Sequence, residues 1–284
     1  MTEIVAPGGS FEKALYAFRA GAHAVYIGLK SFSARTHSAN FSIEQLRKLK
    51  SFALANDRKI YVAINTIVKD SELEALIDSL YDIALIGVDG VIVQDIGVIE
   101  VIKTYFPGLS IHASTQMAVH NVAGVAYLKN LGVKRVVLSR EVPFEDIKKI
   151  QEAHPDMQLE VFVHGALCYS FSGLCLASAL LCGRSGNRGD CAQICRNSYH
   201  SDDEKGCYFS CNDLCLGEEV LKLKDIGVSA LKIEGRMKSP EYVFNTVVMY
   251  ADILSGGSSI ERAAELKRAS RLSFGREETK GYFY

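Results

Sequence analysis

Short runs of β-branched and apolar residues alternate along this chain with longer stretches in which apolar positions recur at helical spacing. The pattern predicts strands at Ile4–Pro7, Ala24–Leu29, Lys59–Asn65, Gly90–Gln94, Ser110–Ser114, Lys134–Ser139, Leu159–Val163 and Ala230–Ile233. Helices are expected to begin near Ser10, Ser42, Ser71, Gly97, Val122, Pro143, Gly217 and Ser239. Ser42-Ile-Glu-Gln and Ser71-Glu-Leu-Glu each put a hydroxyl at an N-cap with Gln or Glu three residues on, so that side chains satisfy otherwise free amides. Pro143 and Pro240 suit a first helical turn. Gly21, Gly87, Gly132 and Gly227 each stand between a helix and the next strand.

Strands separated by helices pair in parallel, and eight such units make a (β/α)8 TIM-like barrel, with a doubly wound sheet as the alternative. In a barrel the chemistry gathers at the C-terminal ends of the strands. That singles out Asn65, Gln94-Asp95, Ser114-Thr115-Gln116, Arg140-Glu141, His164 and Glu234-Gly-Arg236. By strand alternation Glu160, Phe162 and His164 share one face. A buried Glu160 needs a cationic partner, for which Lys232 and Arg236 are candidates.

One connection breaks the rhythm. Residues 165–216 follow the seventh strand, and compact domains seldom carry a connection of that length unless it is functional. The barrel with this insertion is expected to span residues 1–257, and residues 258–284 to form a charged helical appendage or the start of a further domain.

Composition sharpens the picture at one place. With 48% hydrophobic residues, 23% charged and a net charge of −1, bulk electrostatics favour neither nucleic acid nor membrane as a partner. No basic segment followed by an apolar run opens the sequence, and no stretch approaches the roughly 18 apolar residues of a transmembrane helix, so a cytoplasmic protein is expected. In a reducing compartment cysteines serve as ligands or reactive thiols rather than disulfides. All eight lie in the insertion, as Cys168-x6-Cys175-x6-Cys182-x8-Cys191-x3-Cys195-x11-Cys207-x3-Cys211-x3-Cys215. Without a paired CxxC a zinc finger is a poor match, whereas a thiolate-only donor set suits an iron–sulfur cluster; zinc and plain buried thiols remain alternatives.

The segment from Glu160-Val-Phe-Val-His-Gly-Ala-Leu-Cys through Ser178 resembles the signature of peptidase family U32, the collagenase-like peptidases. Asn187-Arg-Gly-Asp-Cys-Ala-Gln-Ile-Cys-Arg196, Asn212-Asp-Leu-Cys215, Leu231-Lys-Ile-Glu-Gly-Arg-Met-Lys-Ser239, Ala6-Pro-Gly-Gly and His112-Ala-Ser-Thr-Gln-Met fit the same family in order. The resemblance implies likeness to proteins that hydroxylate a tRNA wobble uridine, a ribosomal RNA cytidine or a quinone precursor without oxygen, with prephenate as co-substrate and a [4Fe–4S] cluster. Carried over residue by residue, it implies Cys168, Cys175, Cys191 and Cys215 as cluster ligands, with Cys195 as the alternative fourth. Cys182, Cys207 and Cys211 are then packing residues or local peculiarities. The family's longer members carry a further C-terminal domain, and this chain reaches only the Phe274-Gly-Arg…Gly-Tyr motif that precedes it.

Candidate roles follow. His164, Glu160 and Glu234 are candidate catalytic groups, each with a structural ion pair or a buried hydrogen bond as the plainer account. Arg35, Gln116, Arg140 and Arg236 are candidate substrate contacts, the arginines because a guanidinium forks onto carboxylate or phosphate. The partner is RNA or a small molecule. A collagenase-like peptidase using Cys168 or Ser114 with His164, and a non-catalytic RNA-binding accessory protein, are the alternatives. His112 and His120 are expected to be core or rim histidines, and the Gly8-Gly9 turn to offer only a weak phosphate cradle.

Overall fold

Side-chain caps set where the first elements begin. Ser10 accepts from the amide of Lys13, Ser42 and Gln45 form a reciprocal capping box, and Asp95, Asn121 and Ser239 accept from the first turns of later helices. In the computed structural model, residues 2–34, 39–201, 204–256 and 276–284, with Glu265 and Arg268, are described. The chain runs β1 (Glu3–Pro7), α1 (Phe11–Arg19), β2 (Ala24–Gly28), α2 (Ile43–Ala55), β3 (Lys59–Ile64), α3 (Leu73–Ile86), β4 (Gly90–Val93), α4 (Ile96–Tyr105), β5 (Ile111–Ala113), α5 (Val122–Asn130), β6 (Arg135–Val137), α6 (Phe144–Ala153) and β7 (Gln158–Ala166). The insertion holds α7 (Ala177–Cys182), a hairpin of β8 (Tyr199–Ser201) and β9 (Glu204–Gly206), and β10 (Asp213–Cys215). After it come α8 (Val220–Asp225), β11 (Ala230–Ile233), α9 (Pro240–Leu254) and β12 (Glu278–Thr279).

Strands β1 to β7 pair in parallel in sequence order, and β11 closes the ring by pairing in parallel with both β1 and β7. This is the (β/α)8 barrel, and the doubly wound alternative is excluded by closure. Two cores result. The larger lies between strands and helices; the barrel interior holds a separate small apolar cluster of Val5, Ala24, Tyr26, Tyr61, Ile92 and Ala230.

The rest of the interior is charged. Arg135 donates to Glu3 Oε2 (2.8 Å) and to Glu160 Oε2 (3.1 Å), Tyr61 donates to Glu3 (3.0 Å), and Lys232 donates to Glu160 from above. Glu160 is fully buried, so it is an ion-paired column member as the burial argument required. Burial would push its carboxyl up, but Lys232 and Arg135 outweigh this and hold it at about 2. His112 lies in the same interior against Tyr61 (4.6 Å between ring centroids), where burial pushes it down to about 3.

Two expectations are corrected. Ser71 is not a cap: the Glu72 carboxylate accepts from the amide of Lys69 (2.9 Å), on a 3-10 turn at Asp70–Glu72. Strand alternation along β7 fails after Phe162, because the pairing with β11 slips by one residue; Lys232 faces Phe162 and Ile233 faces His164. The last described residues, 276–284, pack on the insertion and the barrel. β12 pairs in parallel with β10, Arg276 bridges to Asp213 (2.7 Å), and Phe283 is buried against Phe144 (5.3 Å). The expected boundary between 257 and 258 falls outside the described residues, as does Arg35.

Candidate functional site

β7 runs past the barrel rim, and its last residues pair antiparallel with β10: Ala166 opposite Asp213, Gly165 opposite Leu214 and His164 opposite Cys215. That extension carries the start of the insertion up and over the mouth. On the far rim Arg188 fixes the insertion by donating to Glu72 (2.5 and 3.0 Å) and to the carbonyl of Ile67 (2.5 Å). Within it Arg184 pairs with Asp190 (2.6 Å), and Arg196 donates to Ser210 Oγ (2.9 Å), Cys211 O (2.6 Å) and Leu167 O (2.5 Å). Between insertion and barrel lies a cavity of about 530 Å³.

Its two walls differ in chemistry. The roof presents Cys168, Cys175, Cys191 and Cys195; the barrel side presents Gln116, Arg140, Lys232, Glu234 and Arg236. All eight cysteines are thiols, with no disulfide among the described residues. The amides of Ala177 and Gln193 each donate to a sulfur, Cys175 and Cys191 respectively, at 3.4 Å, and Ser178 Oγ lies 3.9 Å from Cys191 Sγ. Burial pushes the Cys195 thiol up, the neighbouring thiols of Cys168, Cys191 and Cys211 add to this, and Arg196 opposes it. Cys215, carried over as the fourth ligand, stands elsewhere: it is buried on β10 and bonded toward Tyr250 of α9. The alternative Cys195 takes its place at the cavity. Cys182 and Cys207 are exposed, so packing does not account for them. Among the described residues no three His, Cys, Asp or Glu side chains already stand at metal-ligand spacing.

On the barrel side, Glu234 Oε2 lies 3.1 Å from the Tyr26 hydroxyl and 3.9 Å from Arg140 Nη2. The Arg140 guanidinium sits 4.1 Å over the Phe162 ring and donates to Ala166 O (3.2 Å). Arg236 is buried and donates to Ser33 Oγ (2.8 Å). Lys232 stands 4.4 Å over the Tyr26 ring, between Glu160 below and the cavity above. Gln116 accepts from Asn65 Nδ2 (2.9 Å), which orients its amide. Two glycines permit this arrangement. A Cβ on Gly9 would lie 1.9 Å from the carbonyl oxygen of Arg236, and Gly165, at φ +109°, has the Glu234 backbone where its Cβ would be.

Of the candidate residues, Gln116, Arg140, Glu234 and Arg236 meet at the mouth with the three cysteines Cys168, Cys175 and Cys191. Glu160 lies one layer below and touches the site only through Lys232. His164 stands apart: its ring packs between Tyr242 and Tyr250 of α9, with Nδ1 3.1 Å from the Tyr250 hydroxyl, and burial pushes it down to about 3. Lys232 and Tyr26 were not singled out as cavity residues. Two-residue spacing held the signal, since Lys232 on β11 precedes Glu234, just past the strand's end, by two, and Tyr26 lies between Ala24 and Gly28 on β2.

The chain is 38% identical over 275 residues to a 23S rRNA 5-hydroxycytidine synthase of Escherichia coli, covering 94% of this chain and 41% of that protein. It is 35% identical over 265 residues to tRNA hydroxylation protein P1 of Bacillus subtilis, covering 89% of this chain and 63% of that protein. A collagenase of Porphyromonas gingivalis is 33% identical over 274 residues, covering 89% of this chain and 65% of that protein. The chain therefore spans less than two thirds of the length of each of these relatives. The profile of Peptidase family U32 matches residues 9–284, and with the closed barrel and its cysteine-bearing roof in view, the chain belongs to peptidase family U32.

Proposed function

We propose that this chain hydroxylates a pyrimidine base in tRNA or rRNA, with the base held in the cavity at the barrel mouth. The observation that carries this reading is the cavity itself, with four free thiols on one wall and Arg140, Lys232, Glu234 and Arg236 on the other. The relatives' names supply the reaction class and the substrate class.

A [4Fe–4S] cluster fits the donor set: four thiols face one cavity, and backbone amides already point at two of the sulfurs, as amides do in clusters they stabilise. Cys168, Cys175, Cys191 and Cys195 would hold it, and it would supply electron transfer or Lewis acidity beside the substrate. The remaining work falls to this chain's side chains. Gln116 presents an amide, oriented by Asn65, that can hydrogen-bond a base edge. Glu234, with the Tyr26 hydroxyl against Oε2, can accept a proton from the bound base. Arg140 and Arg236 flank Glu234 and suit a dicarboxylate co-substrate such as prephenate. Lys232 adds positive charge at the floor, and Glu160 holds it there. The setting is cytoplasmic, where RNA and a reducing pool coexist; among the described residues no helix is long and apolar enough to cross a membrane.

Peptide hydrolysis has the family name and the collagenase relative behind it. It needs a nucleophile beside a base. Cys168 and Ser114 line the cavity while His164 packs against α9, which weighs against either pair.

The test is a comparison of modified nucleosides, by mass spectrometry, in RNA from cells with and without the gene, joined to iron and sulfide analysis of anaerobically purified protein. A hydroxylated pyrimidine that disappears with the gene, and a brown protein with iron and sulfide, are expected. Unchanged nucleosides, or a colourless protein holding stoichiometric zinc, would overturn the reading.

A further inference from the structure

The insertion carries large apolar side chains that the fold does not use. Tyr169 is 59% exposed, Phe171 63%, Tyr208 49% and Phe209 41%. Such a concentration on one element marks an interaction surface rather than scattered surface apolar residues. Its position is specific. Tyr169 follows Cys168, and Phe171 precedes Ser172 and Gly173, all three of which line the cavity, so these two residues lie on the stretch of the insertion that borders it. They are also fixed. Tyr169 meets Phe209 edge-on at 5.4 Å, Phe209 meets Tyr199 edge-on at 5.3 Å, and Phe171 lies 5.7 Å from His120. Each ring is held along an edge and leaves surface to solvent.

Charge decides what would cover it. Among the described residues, the cavity beside these rings is lined by Arg140, Arg196, Lys232, Arg236, Lys238 and Arg276, six cations against three carboxylates: Glu234 in the lining, and Glu160 and Asp213 buried behind it on Lys232 and Arg276. Arg196 is fixed by neutral acceptors, which leave its charge uncompensated. The whole chain carries a net charge of −1, so this cationic excess is local to the mouth. Rigid rings beside a cationic opening suit a strand that offers π-faces and phosphates together, which is single-stranded nucleic acid. An apolar protein partner would satisfy the rings but leave the cations facing it.

We propose that Tyr169, Phe171 and Phe209 form the platform on which unpaired RNA bases stack while the neighbouring base is turned into the cavity. Enzymes that act on a base must take it out of its stack, and a replacement surface for its neighbours lowers the cost. This rests on the reading of the cavity as an RNA-modification site and goes further, assigning to the aromatic rings of the insertion the contact with the unpaired bases beside the target.

Fluorescence polarisation tests it, using the full chain, a labelled hairpin RNA with an unpaired loop, and a blunt duplex of the same length. Tyr169→Ala and Phe171→Ala should each weaken loop binding about tenfold, since each removes one stacking surface. The double variant should lose the preference for loop over duplex. Tyr81→Ala, at an exposed tyrosine on α3, serves as the control and should bind as wild type. Iron content and urea midpoint report whether the variants retain the roof and the barrel. Undiminished loop binding by the double variant overturns the platform, even where cells carrying it still hydroxylate RNA. A wild-type dimer in sedimentation that the double variant dissolves also overturns it, assigning the face to a second copy. Failure of the wild type to bind either RNA removes the platform, and nucleoside analysis shows separately whether the RNA-modification reading falls too.

Discussion

Replacing Glu160 with Gln keeps its shape and removes the charge between two buried cations. Lys232 and Arg135 both bond Glu160, and both are nearly fully buried. Arg135 retains Glu3, so the loss falls mainly on Lys232. The magnitude follows from the carboxyl, which the native state lowers from 4.5 to about 2. Each tenfold change in its acid dissociation constant is worth about 1.4 kcal/mol, which gives about 3 kcal/mol, the lower end of the ~3–5 kcal/mol typical of breaking a buried pair. The sign is that of a depressed carboxylate: the stabilisation is complete above pH 4.5 and is lost as pH falls toward 2. His112 and His164 complicate the acid limb. Both are buried with pKa values pulled from 6.5 to about 3, so stability falls below pH 6.5 in wild type and variant alike. The difference between the two proteins isolates Glu160. Urea unfolding at a series of pH values should give a gap of about 3 kcal/mol at pH 7 that narrows below pH 4.5, with m unchanged. A gap under about 1 kcal/mol at pH 7, or one that stays constant down to about pH 3, refutes the ion-paired column.

Three further outcomes follow from the site. Cys195→Ser should strip iron and sulfide from anaerobically reconstituted protein while Cys215→Ser keeps them, because only Cys195 faces the cavity; equal retention in both would remove Cys195 from the donor set. Gly9→Ala puts a methyl group on the carbonyl of Arg236, so it should destabilise by about 1–3 kcal/mol and cut the proposed RNA hydroxylation by more than its effect on stability, as a urea midpoint and a nucleoside assay would show. Arg188→Ala frees the insertion from the Glu72 rim at little global cost, since a partly exposed pair contributes little to stability; trypsin should then cut within residues 165–216 faster than in wild type, and an unchanged rate would mean the tether is dispensable.

The sequence by itself determined the barrel. Short apolar, β-branched runs and capped helices are local signals, and their order leaves few topologies once strands must pair in parallel. It also located the insertion and most of the mouth, because strand-end residues such as Gln116, Arg140, Glu234 and Arg236 follow from barrel geometry alone. What it could not determine depended on contacts between distant segments. One slipped residue between β7 and β11 turned His164 away from the mouth and toward Tyr250, and a single-residue shift in register is invisible to alternation read on one strand. Cys195 and Cys215 are chemically identical in sequence. Only the antiparallel pairing of β10 with β7 buried Cys215 beside α9 and left Cys195 in the roof. Where residues 276–284 sit was not legible in the sequence, because Asp213 and Phe144, far away in the chain, hold them. Local patterning specified the elements, and long-range pairing specified which side chains face the cavity, since only the latter depends on where two strands meet.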